Sequence, residues 1–421
     1  MAFLELLVLA SMPVVQMLLI GLVGAYLASG FCNVLTPDAR KHMNKVVYLV
    51  FISSLTFSSL AKTVTLQDII SWWFMPVNIG IIYLIGGTLG WIAVKILRPE
   101  RHLEGLIIAT CSAGNLGNLM VIVVPAVCNE AHSPFGDPVV CRNRGLSYAS
   151  FSMALGGFYI WTHTYSLMKN SGVLYKKMKA AEDVGEHANG WGNPKDGGVG
   201  NEKDLEAPLL PSTSPSHDGA EAAEQSFSAE PSSSWKHKSN ILKFLERARE
   251  SALHLAKELM SPPTIAATLG LIVGATPPLK SLIIGASAPL RVVQDAIKLL
   301  GDATIPCITL ILGGNLTQGV KKSKLRRSII ATVLFLKYMI LPASGIAVVK
   351  AASKLGFLPD DPLYHYAILL QYTLPPAMSI GTMAELFDVV QEECSVLFLW
   401  TYLVCAPALT IWSTVYMWFL S

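Results

Sequence analysis

The 421-residue chain is 52% hydrophobic and only 14% charged, with a mean hydropathy of +0.47, a composition that belongs to polytopic membrane proteins. Its net charge of +3 is too small to call for a nucleic-acid partner. The seven cysteines are scattered without a CxxC pair, and no HExxH, GxSxG or P-loop motif occurs, so no cofactor, metal or enzyme activity is expected.

About 20 apolar residues cross a bilayer once. The first span reads Pro13 to Gly30, and Gly21, Gly24, Ala28 and Gly30 suit close helix packing. With no basic stretch before it, it reads as a retained span, not a cleaved leader. The turn with Arg40, Lys41 and Lys45 separates it from the second, Val46 to Ala61. The third, Trp73 to Ile96, opens on a tryptophan pair fit for the interface. Arg98 and Arg101 precede the fourth, Leu103 to Val127, and a polar loop leads to the fifth, Leu146 to Met168. Residues 1–168 thus read as one five-helix repeat.

Composition changes after Lys169. Residues Ala180 to Ser234 are rich in Ser, Pro, Gly, Glu and Asp and are expected to be disordered, since they bury too little apolar surface to offset their ordering entropy. From Ile241 to Met260 apolar residues recur at helical spacing with Lys and Arg between them. This is either an interfacial amphipathic helix or an extension of the next span. Residues 169–260 are therefore a linker. A second repeat, 261–421, holds spans at Pro263 to Ile284, Ala296 to Leu316, Ile329 to Lys350, Tyr364 to Leu386 and Val396 to Leu420. With a non-cytosolic N-terminus, the cytosolic connections gather Arg40, Lys41, Lys45, Lys95, Arg98, Arg101 and the basic run from Lys321 to Arg327. That bias predicts both termini outside the cytosol and the linker within it.

The fold class expected is an all-α membrane protein of about ten spans in two inverted five-helix repeats. Its centre is the fourth span, where Gly114, Asn115, Gly117 and Asn118 stand together inside an apolar run. Glycine weakens a helix by about 1 kcal/mol relative to alanine, and asparagine competes for its backbone hydrogen bonds, so the span is expected to break there. The ninth carries Pro375 and Pro376 in mid-span; they remove backbone donors and suit the first turn of a new helix. A pair of broken spans, one in each half, points to a transporter's binding site. A half-helix beginning near Asn118 presents free N–H groups and a positive dipole end. If the two breaks cross, two such ends converge on a site for an anion, and a carboxylate fits.

Other polar groups are weighed against ordinary packing. Asn315, Gln318, Ser53, Ser54 and Thr56 either face the site or serve helix–helix hydrogen bonds. Lys337 is a basic residue well inside the eighth span, a candidate functional charge that snorkelling would otherwise explain. No pair of acids lies in mid-span like those of a cation relay. Cys128 and Cys141 bracket one loop, either as a disulfide or as two thiols.

Three strings carry a family resemblance: Gly114-Asn-Leu-Gly-Asn-Leu-Met120, Cys141-Arg-Asn-Arg-Gly-Leu-Ser-Tyr-Ala-Ser-Phe-Ser-Met-Ala-Leu-Gly156 and Gln371-Tyr-Thr-Leu-Pro-Pro-Ala-Met-Ser-Ile-Gly-Thr-Met383. With them the chain resembles the plant PIN-LIKES proteins of the auxin efflux carrier family, over both membrane halves. The resemblance implies ten spans in inverted repeats and a transport domain that moves as an elevator, crossing at helices four and nine. It also implies auxin as substrate, residence in the endoplasmic reticulum, and a homodimer through the scaffold. Related PIN carriers have a Pro-Asn pair at the fourth-helix crossing whose Asn contacts the auxin carboxylate. The matching pair here is Gly117-Asn118, so the break is kept with a less rigid residue.

The expected function is transport of indole-3-acetic acid and similar aromatic carboxylates. Asn118 and Asn115 would hold the carboxylate, with Met120 and Ile380 beside the ring. Spans one, two, six and seven would form the scaffold. A cation-coupled organic-anion carrier and a hormone sensor without flux are the competing readings.

Overall fold

The computed structural model describes residues 2–128, 133–189, 261–285, 287–322 and 325–420. Among them every regular element is helical apart from one isolated β-bridge. Residues 2–178 and 261–420 belong to one compact unit; of a second unit, 179–254, only its start is described. Most of the linker expected to be disordered, and the amphipathic helix expected over Ile241–Met260, lie outside the described residues.

In chain order the helices are α1 Ala2–Leu27, α2 Pro37–Thr63, α3 Leu66–Ser71, α4 Phe74–Leu97, α5 Glu104–Ser112, α6 Asn118–Cys128, α7 Pro138–Tyr159 and α8 Tyr165–Asn189. After the linker come α9 Pro262–Ala275, α10 Pro277–Ile283, α11 Arg291–Asp302, α12 Thr304–Lys322, α13 Arg327–Lys354, α14 Pro362–Leu370, α15 Ser379–Phe387 and α16 Gln391–Leu420. Among the described residues five helices are long and apolar enough to cross a membrane, six with the bent pair α9–α10 counted as one. The helices on either side of the two expected breaks, at 9 and 11 residues and at 9 and 9, are each too short to cross a bilayer alone.

The starts are written in the chain. Thr36, Asp137 and Asp361 each cap a helix through side-chain oxygens that accept backbone N–H groups, and each is followed by proline at the first helical position, which needs no donor there. Helix α4 ends where Arg98 takes a left-handed conformation with φ 45°, and α15 ends likewise at Asp388 with φ 56°.

Three long helices contain a π-turn, at Val47–Phe51, Ile160–Thr164 and Leu336–Ile340. The second joins α7 to α8, so helix continues without interruption from Pro138 to Asn189, past the end of the expected fifth span. The helix thereby runs through Ala180–Asn189, part of the stretch expected to be disordered. Lys176, Lys177, Ala180, Ala181 and Glu182 are strong helix formers, and extending a helix already nucleated costs far less than starting one. The expected sixth span is not straight: α9 and α10 meet at 105°. Pro277 and Pro278 explain it, since proline cannot donate to the preceding turn and holds Thr276 in an extended conformation, φ −107° and ψ 101°.

Helix α1 packs along α12, and α9 along the second half of α2. The α1–α12 approach is close because glycines face backbone: a Cβ on Gly24 would overlap the Leu310 carbonyl, and one on Gly313 would overlap Gly21. Helix α5 lies against α4, and α6 against α7. Leu19, Leu22, Leu84, Trp91 and Ile96 point outward from these helices and stay exposed, as lipid-facing side chains do. Tyr364, Tyr366, Tyr372 and Tyr416 are fully buried.

Candidate functional site

Between Ser112 and Asn118 the chain leaves the helix, and it does so again between Leu370 and Ser379. The two interruptions meet. Gly114 and Pro376 form an antiparallel bridge, with the Asn115 N–H donating to the Pro375 carbonyl at 2.7 Å and the Ala377 N–H to the Ala113 carbonyl at 3.1 Å. Both bonds flank the Gly114–Pro376 pair, so these two face each other at a non-hydrogen-bonded position of the ladder. Pro376 therefore sits where its missing N–H is not needed. The break frees backbone groups in a low-dielectric layer, and the opposite break pairs them.

Pro375 and Pro376 lie in this extended stretch, not in the first turn of the new helix, which starts at Ser379. The expectation placed them one element too far along, because a crossing needs extended backbone on both sides before either helix can resume.

Side chains brace the crossing. The Asn115 amide donates to the Tyr402 hydroxyl at 3.0 Å, and that hydroxyl donates to the Pro376 carbonyl at 2.9 Å. Behind it, Asn78 of α4 donates to the Gln371 side chain at 2.8 Å and accepts from the Tyr372 hydroxyl at 2.9 Å. Gln371 in turn donates to Ser152 at 2.9 Å. Asn78, Ser152 and Gln371 are all at most 1% exposed, so the network is a buried set of amides and hydroxyls with its partners in place.

On the open side of the crossing lies a recess of about 110 Å³, lined by Asn115, Gly117, Met153, Met378 and Ser379 with Thr56 opposite. It shares Leu55, Ser59, Met153 and Ile305 with a vestibule of about 660 Å³. Lys62, Lys298 and Asp302 stand on the vestibule wall. The vestibule has the size of a small-molecule site, roughly 300–1,000 Å³, and the recess is its floor. Helices α6 and α15 begin at that floor, so two positive dipole ends face it.

The expected site residues divide. Asn115 and Gly117 line the recess. Gly114, Pro375 and Pro376 build the crossing itself. Asn118 is the first residue of α6; its side chain lies outside the described residues. Met120 is buried, its sulfur accepting from Ser152 at 3.3 Å, and Ile380 is buried too; neither lines the recess. Asn315 donates to buried Glu385 at 3.3 Å, in a separate small gap beside Asn44 and Thr382. The backbone of Ser54 and Leu55 lies against Gly301 of α11; Leu55 lines the cavity and Ser54 does not. Lys337 is 1% exposed, with its ammonium 3.4 Å from the Cys111 carbonyl. Cys128 and Cys141 form a disulfide with Cα atoms 5.7 Å apart.

The reading from sequence missed Tyr402, Met153, Ser379, Asn78 and Gln371. Asn78 and Gln371 carried a usable signal, an amide inside an apolar span. Tyr402 carried none, since tyrosine is common in such spans.

This geometry has relatives. The family described as membrane transport protein matches residues 9–413. Protein PIN-LIKES 7 of Arabidopsis thaliana is 51% identical over 422 residues, covering 100% of both chains. Protein PIN-LIKES 5 of the same plant is 50% identical over 418 residues and 99% of both. Protein PIN-LIKES 6 is 31% identical over 421 residues, covering 97% of this chain and 92% of its own. The chain belongs to the PIN-LIKES family of membrane transport proteins.

Proposed function

We propose that the protein carries indole-3-acetic acid, and related aromatic carboxylates, across the endoplasmic reticulum membrane. The observation that carries this reading is the paired crossing of two broken helices at the floor of a vestibule. Unwound backbone and half-helix N-termini at one point suit a carboxylate. Asn115, beside the N-terminus of α6, supplies an amide, and Asn118 is the second carboxylate ligand in this reading. Met153, Met378 and Leu55 give the aromatic ring an apolar, adaptable wall.

In this reading the chain has ten spans in two inverted halves, with both termini lumenal and the linker cytosolic. Helices α1, α2, α9, α11 and α12 form a scaffold, through which two copies pair. The remaining spans, tied together at the crossing, move against it as an elevator. The vestibule then opens to the lumen, where Lys62 draws anions towards it while Lys298 is paired with Asp302 at 2.6 Å.

The test is uptake of labelled indole-3-acetic acid into proteoliposomes by the wild type, Asn115→Ala and Asn118→Ala, first without ion gradients. Flux in the wild type and a tenfold or larger loss in either variant supports the reading. Flux that appears only with a sodium or proton gradient favours a coupled carrier. Binding without flux under any gradient favours a sensor.

A further inference from the structure

We infer that Lys337 supplies the positive charge by which the crossing selects an anion, an inference that rests on the carboxylate reading above. Four helix ends meet at the crossing: the C-termini of α5 at Ser112 and α14 at Leu370, and the N-termini of α6 at Asn118 and α15 at Ser379. Each C-terminus carries roughly −0.5 of a charge and each N-terminus roughly +0.5. To first order they cancel. Dipoles alone give a carboxylate orientation but little net attraction, so preference for an anion needs a further charge.

Lys337 is placed to provide it. It lies in the π-turn of α13, the kind of local insertion that re-aims a side chain at a functional point. Its ammonium reaches the Cys111 carbonyl in the last turn of α5, and lies 4.0 Å from where a Cβ on Gly114 would stand. Among the described residues no carboxylate forms an ion pair with it. The charge therefore offsets the negative end of α5 and leaves a surplus directed at the crossing.

The other C-terminus is served differently. At the end of α14 the last carbonyls are met by neutral donors of the same segment: the Tyr372 N–H donates to the Leu369 carbonyl at 3.1 Å, and the Thr373 N–H and hydroxyl donate to the Leu370 carbonyl at 3.0 and 2.7 Å. One C-terminus is met by neutral donors and the other by an ammonium. The asymmetry separates two jobs: neutral donors are enough to satisfy a broken helix end, so the charge at the other break does more than brace it. Lys337 is a positioning residue here; it lies behind the crossing and does not line the recess.

The experiment compares binding of indole-3-acetic acid, an anion at neutral pH, with that of its uncharged amide, indole-3-acetamide, to the purified full-length protein. Wild type, Lys337→Gln and Lys337→Arg are measured side by side. Glutamine keeps a donor for Cys111 and removes only the charge. The expected result is about a tenfold loss of acid affinity in Lys337→Gln, unchanged amide affinity, and recovery in Lys337→Arg. An equal loss for both ligands assigns Lys337 a purely structural role and overturns the inference. So does a Lys337→Gln protein that keeps the wild-type preference for the acid. If Lys337→Gln cannot be purified, Lys337→Met carries the same comparison. A wild type that binds the amide as tightly as the acid overturns the inference without touching the site. A wild type that binds neither overturns the carboxylate reading itself, and the inference with it.

Discussion

Asn115 and Tyr402 stand 287 residues apart in the chain, yet the amide of one donates to the hydroxyl of the other at 3.0 Å. The same hydroxyl donates to the Pro376 carbonyl at 2.9 Å. One phenol oxygen thus ties a side chain from the first break to the backbone of the second. Tyr402→Phe strands a buried amide and a buried carbonyl, and is expected to cost about 1–3 kcal/mol. Thermal unfolding in detergent checks the loss. Transport should fall as well, because the unpinned Asn115 amide no longer holds one orientation at the recess.

The two glycines of the first break should respond differently to alanine. A Cβ on Gly114 would meet its nearest neighbours, Gln371 and Leu374, at 3.6 Å, an ordinary contact, and its φ is not positive. A Cβ on Gly117 would sit 3.0 Å from the Met153 side chain, on the wall of the recess. Gly114→Ala should therefore keep wild-type flux within about twofold. Gly117→Ala should displace Met153 and lower flux several-fold, with stability changed by less than about 1 kcal/mol because methionine re-packs readily. Uptake assays and melting curves on the two variants separate these outcomes.

The Cys128–Cys141 disulfide joins the end of α6 to the start of α7 across a sequence separation of 13 residues. Closing a loop of that size removes chain entropy worth about 3 kcal/mol from the unfolded state. The double variant Cys128→Ser/Cys141→Ser should unfold at a measurably lower temperature. Adding reductant should lower the wild type towards it and leave the variant unchanged.

Asp361 does two things at once. Its carboxylate caps α14 through the Leu363 and Tyr364 N–H groups, and it accepts the Tyr148 hydroxyl of α7 at 2.6 Å. Asp361→Ala should cost about 2 kcal/mol, the cap accounting for about 1 of it. Arg144 also approaches the carboxylate, at 3.5 Å, but its side chain is 57% exposed. Arg144→Ala should cost under about 1 kcal/mol. Melting temperatures of the two single variants give the ranking.

The parts of this fold that were legible in the sequence are those where a residue type forces the backbone. Gly114, Asn115, Gly117 and Asn118 announced a break, and α6 resumes at Asn118. Asp361 followed by Pro362 marks the start of a helix in the residues themselves. Pro277 and Pro278 offered the same kind of signal for the bend after α9, which a hydropathy window reads straight through. What was not legible depends on partners distant in the chain. The three π-turns leave no residue signature, and nothing in the residues themselves says that Leu55 and not Ser54 lines the cavity. The roles of Tyr402 and Lys337 exist only once the second half has folded against the first.

That last dependence bears on how the protein is made. The Asn115 N–H finds its partner at the Pro375 carbonyl and the Ala113 carbonyl its partner at the Ala377 N–H, and both leave the ribosome only after the linker and most of the second half. Until then the first half waits in the bilayer with an interrupted span whose backbone polar groups have no protein partner at that point. Contacts this distant in sequence are slow to form. Arrival of the segment around Pro375 is therefore the step that pairs the backbone groups of the first break.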